Sequence, residues 1–82
     1  SREQQRIKVK LETRKWGRPV TIIEGLDGDK NELEQLARKL KSLCASGGTV
    51  KNGVILLQGD HRDKVRNYLT KIGFPEANIE VE

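Results

Sequence analysis

Arg14-Lys15-Trp16-Gly17-Arg18 puts three cations and one large aromatic into five consecutive residues, between two apolar runs. Guanidinium and ammonium groups pair with phosphates while an indole face stacks on a base, so this combination suits RNA with unpaired bases. Two readings stand for Trp16: a stacking platform, or an indole folded back over a sheet edge. Other residues invite different chemistry. His61 is the only histidine, and Asp60 and Asp63 beside it suggest a metal ion or acid–base pair. Those acids fall where helix caps fall, however, and no second His or suitably placed Cys completes a zinc set. His61 therefore reads as a polar first-turn residue, or as a structural part of the turn Gly59-Asp60-His61-Arg62. Arg62 can either touch RNA or anchor that turn. Cys44 lies on an apolar helical stripe and reads as a small core residue rather than a nucleophile. No catalytic residue, metal ligand or cofactor is expected.

The composition narrows the class. Eighty-two residues make one domain, and 34% hydrophobic residues in periodic segments suffice for a modest core. A single cysteine excludes an internal disulfide framework and any CxxC motif, which fits a reducing cytoplasm. No apolar run approaches the roughly 18–20 residues of a membrane span, and no signal-peptide pattern opens the chain. The sequence contains no Met, so Ser1 is not expected to be the native first residue. The net charge of +4 is segregated rather than mixed. Residues 1–20 are net +5, 21–37 net −4, 38–75 net +6 and 76–82 net −3. Such segregation lets one face hold a polyanion while another repels it.

The frame for these side chains follows from periodicity. Residues 1–6 form an N-terminal arm, and the domain proper runs over 7–82. Ile7, Val9 and Leu11 alternate with Lys8, Lys10 and Glu12, predicting a strand with one dry face. After the basic loop, Val20 to Glu24 predicts a second strand, with Pro19 at its start. Asp29 and Glu32 form a capping-box pattern for a helix carrying Leu33, Leu36, Ala37, Leu40, Leu43 and Cys44 on one stripe. Arg38 and Lys39 fall away from that stripe, with Lys41 along its flank. The helix should stop before Gly47-Gly48, where a positive φ is cheap. Thr49–Lys51 and Val54–Gln58 are strands joined by Asn52-Gly53, a strong type I′ hairpin signal. A second helix should start with Asp60 as its cap and bury Val65, Tyr68, Leu69 and Ile72. Gly73 and Pro75 end it, and Ile79 and Val81 point inward from a last strand. The order is ββαββαβ. Because the first strand keeps a charged face, both helices must cover the other side, giving an α/β two-layer sandwich of the α+β kind.

At this level the residues resemble a family. Gly17-Arg18-Pro19-Val20-Thr21-Ile22-Ile23-Glu24-Gly25, Leu43-Cys44-Ala45-Ser46-Gly47-Gly48-Thr49-Val50 and Leu57-Gln58-Gly59-Asp60-His61-Arg62 resemble the signature blocks of translation initiation factor 1. They stand in family order and spacing, and the resemblance runs from about Ile7 onward. Gly73-Phe74-Pro75-Glu76 and the short turn at Lys51-Asn52-Gly53 are most similar to archaeal members, whereas eukaryotic members carry an insertion at that turn.

The resemblance implies a monomeric, cytoplasmic non-enzyme that binds the small ribosomal subunit beside the P site through ribosomal RNA. Such a factor assists assembly of the complex with initiator tRNA and mRNA, alongside other initiation factors, and enforces start-codon selection. It implies that the first hairpin loop (Arg14, Lys15, Trp16, Gly17 and Arg18) faces RNA. Arg38, Lys39 and Lys41 on the first helix are then a second ribosome-facing surface, and Lys51 stands at the second hairpin, whose longer eukaryotic form lies toward tRNA. Arg62 joins this set if it touches RNA.

Rival readings are weaker. Gly25-Leu26-Asp27-Gly28 matches the GxxG of KH domains, but it follows a strand and Asp27 would repel phosphate. An RNA-recognition motif needs stacking aromatics on its sheet, and this chain has one Phe, one Tyr and one Trp. An acylphosphatase-like hydrolase needs a phosphate-cradling loop after the first strand, where this chain has an open basic one. A further alternative is the RNA- or protein-binding domain of a reinitiation factor or a bacterial stand-alone relative.

Overall fold

The computed structural model describes residues 4–82. The first half of the N-terminal arm expected over residues 1–6 thus lies outside the described residues. The elements are β1 (Ile7–Arg14), a 3-10 turn (Lys15–Gly17), β2 (Arg18–Glu24), α1 (Lys30–Cys44), β3 (Gly48–Lys51), β4 (Val54–Gln58), α2 (Arg62–Lys71), a second 3-10 turn (Glu76–Asn78) and β5 (Ile79–Val81). They follow the ββαββαβ order read from periodicity. The sheet has five strands in the order β3-β4-β2-β1-β5. Neighbours are antiparallel except β5, which runs parallel to β1 in the register Ile7↔Ile79.

Alternation decides which side is dry. Ile7, Val9, Ile23, Ile55, Leu57 and Ile79 project to one face and meet Ala37, Leu40 and Cys44 of α1 and Val65 and Leu69 of α2 in a single core. Both helices therefore cover that face. The opposite face carries Lys8, Lys10, Glu24 and Leu56, and Lys10 pairs with Glu24 at 3.0 Å across it. That hydrogen bond, followed by the Glu24 charge, raises the Lys10 pKa. Ile22 is buried on this open face because β2 is flanked by Lys10 of β1 and Leu56 of β4.

Helix α1 starts as its sequence dictates. Asp29 accepts from the Glu32 amide at 2.8 Å and the Glu32 carboxylate accepts from the Asp29 amide at 3.2 Å, a complete capping box. Its end differs from expectation. The left-handed residue is Ala45, at φ +51°, and Gly47 and Gly48 do not have positive φ. Gly48 is required for space. A Cβ on Gly48 would stand 2.6 Å from the Leu56 carbonyl oxygen, too near for any real contact. Leu43 also departs from the expected stripe: it is 47% exposed, because it sits one position beyond the row Leu33, Ala37, Leu40 and Cys44 that meets the sheet.

Helix α2 begins at Arg62, one turn position later than expected. His61, not Asp60, is the N-cap residue, with no side-chain cap bond. Asp60 is occupied by Arg62 instead. Val81 is exposed rather than inward, since β5 ends at the rim of the sheet and pairs on one side only. The contrast along α1 is testable. Leu40→Ala should cost about 2–5 kcal/mol in urea unfolding, whereas Leu43→Ala should change stability by no more than about 0.5 kcal/mol.

Candidate nucleic-acid interface

The first hairpin outgrows the core. Burial along β1 falls from Ile7 and Val9, which are buried, through half-buried Leu11 to exposed Glu12, Thr13 and Arg14. No helix lies under its distal half, and the molecule is accordingly elongated, at 38 × 25 × 21 Å. The last strand pair is Arg14↔Arg18, and the three residues between them make the loop. Trp16 (φ +65°) and Gly17 (φ +70°) are both left-handed there, which closes a tight loop while the Arg18 amide donates to the Lys15 carbonyl. A left-handed tryptophan costs about 1–2 kcal/mol relative to ordinary backbone. The cost is not recovered by packing, because Trp16 is 91% exposed. The folded-back alternative for this indole is thereby removed.

Around it the cations are only partly engaged. Arg14 pairs with Glu12 at 2.9 Å, both side chains half exposed. Among the described residues no ion pair engages Lys15 or Arg18.

The second group of cations lies on α1, and the structure divides it. Arg38 and Lys41 line a groove of about 250 Å³ with Glu34 against Gly48, Thr49 and Val50 of the edge strand β3. Lys39 borders the groove between α1 and α2, beside Tyr68 and Ile72, and Arg38 lines that groove as well. Arg14 reaches a third groove whose wall is again Gly48 and Thr49. The short strand β3 thus joins Arg14 of the hairpin to Arg38 and Lys41 of α1 in one strip, a juxtaposition of residues 24 and 27 apart in sequence. Lys51 extends the strip at the second hairpin, where Asn52 (φ +53°) and Gly53 (φ +78°) form the type I′ turn. Periodicity did not single out Thr49, Leu56 or Gln58 as site residues; the paired glycines at 47 and 48 were the signal of a close approach there.

Arg62 stands apart from this strip. Its Nε and Nη2 each donate to the Asp60 carboxylate at 2.9 Å, and its Nη1 donates to the Glu82 carbonyl. The guanidinium ties the start of α2 to the end of β5. His61 belongs to the same turn. Its amide donates to the buried Thr21 hydroxyl at 2.9 Å, that hydroxyl donates to the Gly59 carbonyl at 2.6 Å, and its ring Nε2 lies 2.7 Å from the Gln58 carbonyl. With Nε2 protonated the ring donates to that carbonyl, so this imidazole is committed to holding backbone. No group of three or more His, Cys, Asp or Glu side chains among the described residues could hold a metal ion. Burial raises the Cys44 pKa, partly opposed by Lys64, which disfavours the reactive thiolate.

Two outcomes test this turn. Thr21→Val keeps the shape but leaves the Gly59 carbonyl and the His61 amide unpaired, so it should cost about 1–3 kcal/mol in chemical unfolding. The hydrogen bond from Arg62 lowers the Asp60 pKa, so the fold favours its charged form. That stabilisation is present above the ordinary carboxylate range and is lost as pH falls through the lowered value. Asp60→Asn should therefore lower the melting temperature at pH 7, and the difference from wild type should close as the pH falls below the ordinary carboxylate range.

Residues 3–75 match the family described as translation initiation factor SUI1. The chain is 61% identical over 79 residues to the protein translation factor SUI1 homolog of Hyperthermus butylicus, covering 96% of this chain and 77% of that protein. It is 57% identical over 79 residues to the homolog of Sulfolobus acidocaldarius, covering 96% and 80%. It is 54% identical over 81 residues to the homolog of Pyrococcus horikoshii, covering 99% and 82%.

Proposed function

From the premise that this chain belongs to the SUI1 family of translation initiation factors, we propose that it acts in translation initiation by binding the small ribosomal subunit near the P site through ribosomal RNA. The observation that carries this reading is the hairpin tip: a strained, 91% exposed Trp16 between cations, beyond the reach of the core. Arg14, Lys15 and Arg18 meet phosphates, and Trp16 stacks on an unpaired base with Gly17 keeping the loop tight. Arg38, Lys41 and Lys51 continue the contact along β3, with Lys39 at its margin. Arg62 supports the site from behind by fixing α2.

The mechanism is a bias between occupancies. A compact basic wedge beside the P site favours the arrangement of subunit, initiator tRNA and mRNA that it binds better, and only to the extent of that difference. Wrong codon–anticodon pairing is disfavoured when it demands the arrangement that expels the factor. Assembly is assisted, and start-codon fidelity enforced, by the same differential affinity. Cations on phosphates position without reading bases, so selectivity among free RNA sequences should be low. The protein works as a monomer in the cytoplasm, and no helix of the described residues is long and apolar enough to cross a membrane.

Co-sedimentation with archaeal small subunits over a salt series tests the proposal. One copy should bind per subunit, and replacing Arg14, Lys15 and Arg18 by Ala should weaken binding at least about tenfold and reduce the logarithmic salt slope by about 2. Trp16→Ala should weaken it by roughly 5- to 100-fold, with an unchanged melting temperature. A folded wild-type domain that fails to bind at moderate salt would sink the reading.

A further inference from the structure

On the sheet face that neither helix covers, beside the first hairpin, lies a groove of about 210 Å³. Its floor is apolar and half-buried, made by Val20 of β2 and Leu56 of β4. Thr49 and Gln58 stand on its sides and Arg14 at its mouth. No hydrogen bond among the described residues engages the Thr49 hydroxyl or the Gln58 side-chain amide.

Gly47 lies against the Gln58 side chain. Gly47 does not have positive φ, so its backbone does not demand glycine. A Cβ there would stand 3.1 Å from the Gln58 Oε1, so the amide would have to give way slightly. The site is an apolar platform with an exposed amide and hydroxyl at its side and Arg14, paired with Glu12, at its entrance. Small-ligand sites combine these features, an apolar lining with a few placed polar groups. Arg14 at the mouth, paired with the exposed Glu12 and next in the chain to the cationic loop of Lys15 and Arg18, favours a polyanion over an apolar peptide as the source of that ligand.

We propose that this groove is a nucleobase subsite, taking one unpaired base of the RNA strand whose nearby base stacks on Trp16. The inference rests on the RNA-binding reading above and extends it from the loop onto the sheet. The base lies against Val20 and Leu56, its edge meets Gln58 and Thr49, and Arg14 meets its phosphate. An amide presents both donor and acceptor and a hydroxyl presents either, so the groove accepts more than one base. This matches a contact that adds affinity without strict sequence reading.

The test is a nitrogen-15 chemical-shift titration of the protein with hexa-adenylate and with an abasic oligomer of the same sugar–phosphate length. Hexa-adenylate should shift the Gln58 side-chain amide and the Thr49 and Leu56 backbone amides, and should still do so in Trp16→Ala. The abasic oligomer should shift only residues around Arg14 to Arg18. Gln58→Ala should bind hexa-adenylate roughly 3- to 10-fold more weakly. If hexa-adenylate shifts the loop and leaves the groove silent, the subsite falls while the RNA-binding loop stands. Groove shifts of equal size with the abasic oligomer would mean a phosphate contact and overturn the base assignment. Groove shifts produced by ribosomal proteins and not by RNA would overturn it in favour of a protein occupant. If neither oligomer binds, the subsite is overturned, and the co-sedimentation result decides the broader reading separately.

Discussion

The buried hydroxyl of Thr21 is the constraint on which the arrangement turns. It sits fully enclosed on β2, in the middle of the sheet, donating to the Gly59 carbonyl and accepting from the His61 amide. A polar group in that position is tolerable only when both its capacities are used. Meeting that demand bends the chain after β4 into a turn, where the Gly59 amide also donates to the Pro19 carbonyl at 2.9 Å. The end of β4 is thereby tied to the start of β2. From this join α2 departs across the core, and Arg62, in its first turn, reaches β5. The signature residues Gly59, Asp60, His61 and Arg62 are a structural knot, each making a bond within the protein.

That knot ties down the first hairpin at Pro19 and leaves its tip free to be costly. The distal half of β1 and β2 extends past the helices, so the hairpin tip contributes little to the core and its backbone can carry strain. Stability resides in the layer built from Ile7, Val9, Ile23, Leu40, Ile55, Leu57 and Leu69. Display resides in the loop. Separating the two in space means that charge and exposed aromatic surface can be concentrated at the tip without destabilising the sheet.

The strand β3 links these halves. It is four residues long and lies at the sheet edge, where a longer apolar strand would invite pairing with another chain. Its brevity, and the cations of α1 beside it, make the edge a poor template for self-association. The same brevity brings Gly48 and Thr49 between the hairpin and the helix, so that a single continuous surface runs from Arg14 to Lys41.

Local chemistry wrote much of this into the chain. The capping box at Asp29 and Glu32, the Asn52-Gly53 turn, the alternation of Ile7 and Val9 and the helical row of Leu33, Ala37 and Leu40 each depend on neighbours within a few residues, so the sequence by itself determined the elements, their order and the two-layer class. The basic loop was equally legible, because charge and an aromatic in a turn are properties of composition and place. The tertiary structure alone decided the rest. That Leu43 is left outside the row that meets the sheet, that Gly48 is small beside the Leu56 carbonyl, and that Arg62 reaches the Glu82 carbonyl follow from how the elements pack on one another. Periodicity reports which way a side chain points from its own element, whereas what it meets there is set by the packing of other elements against it.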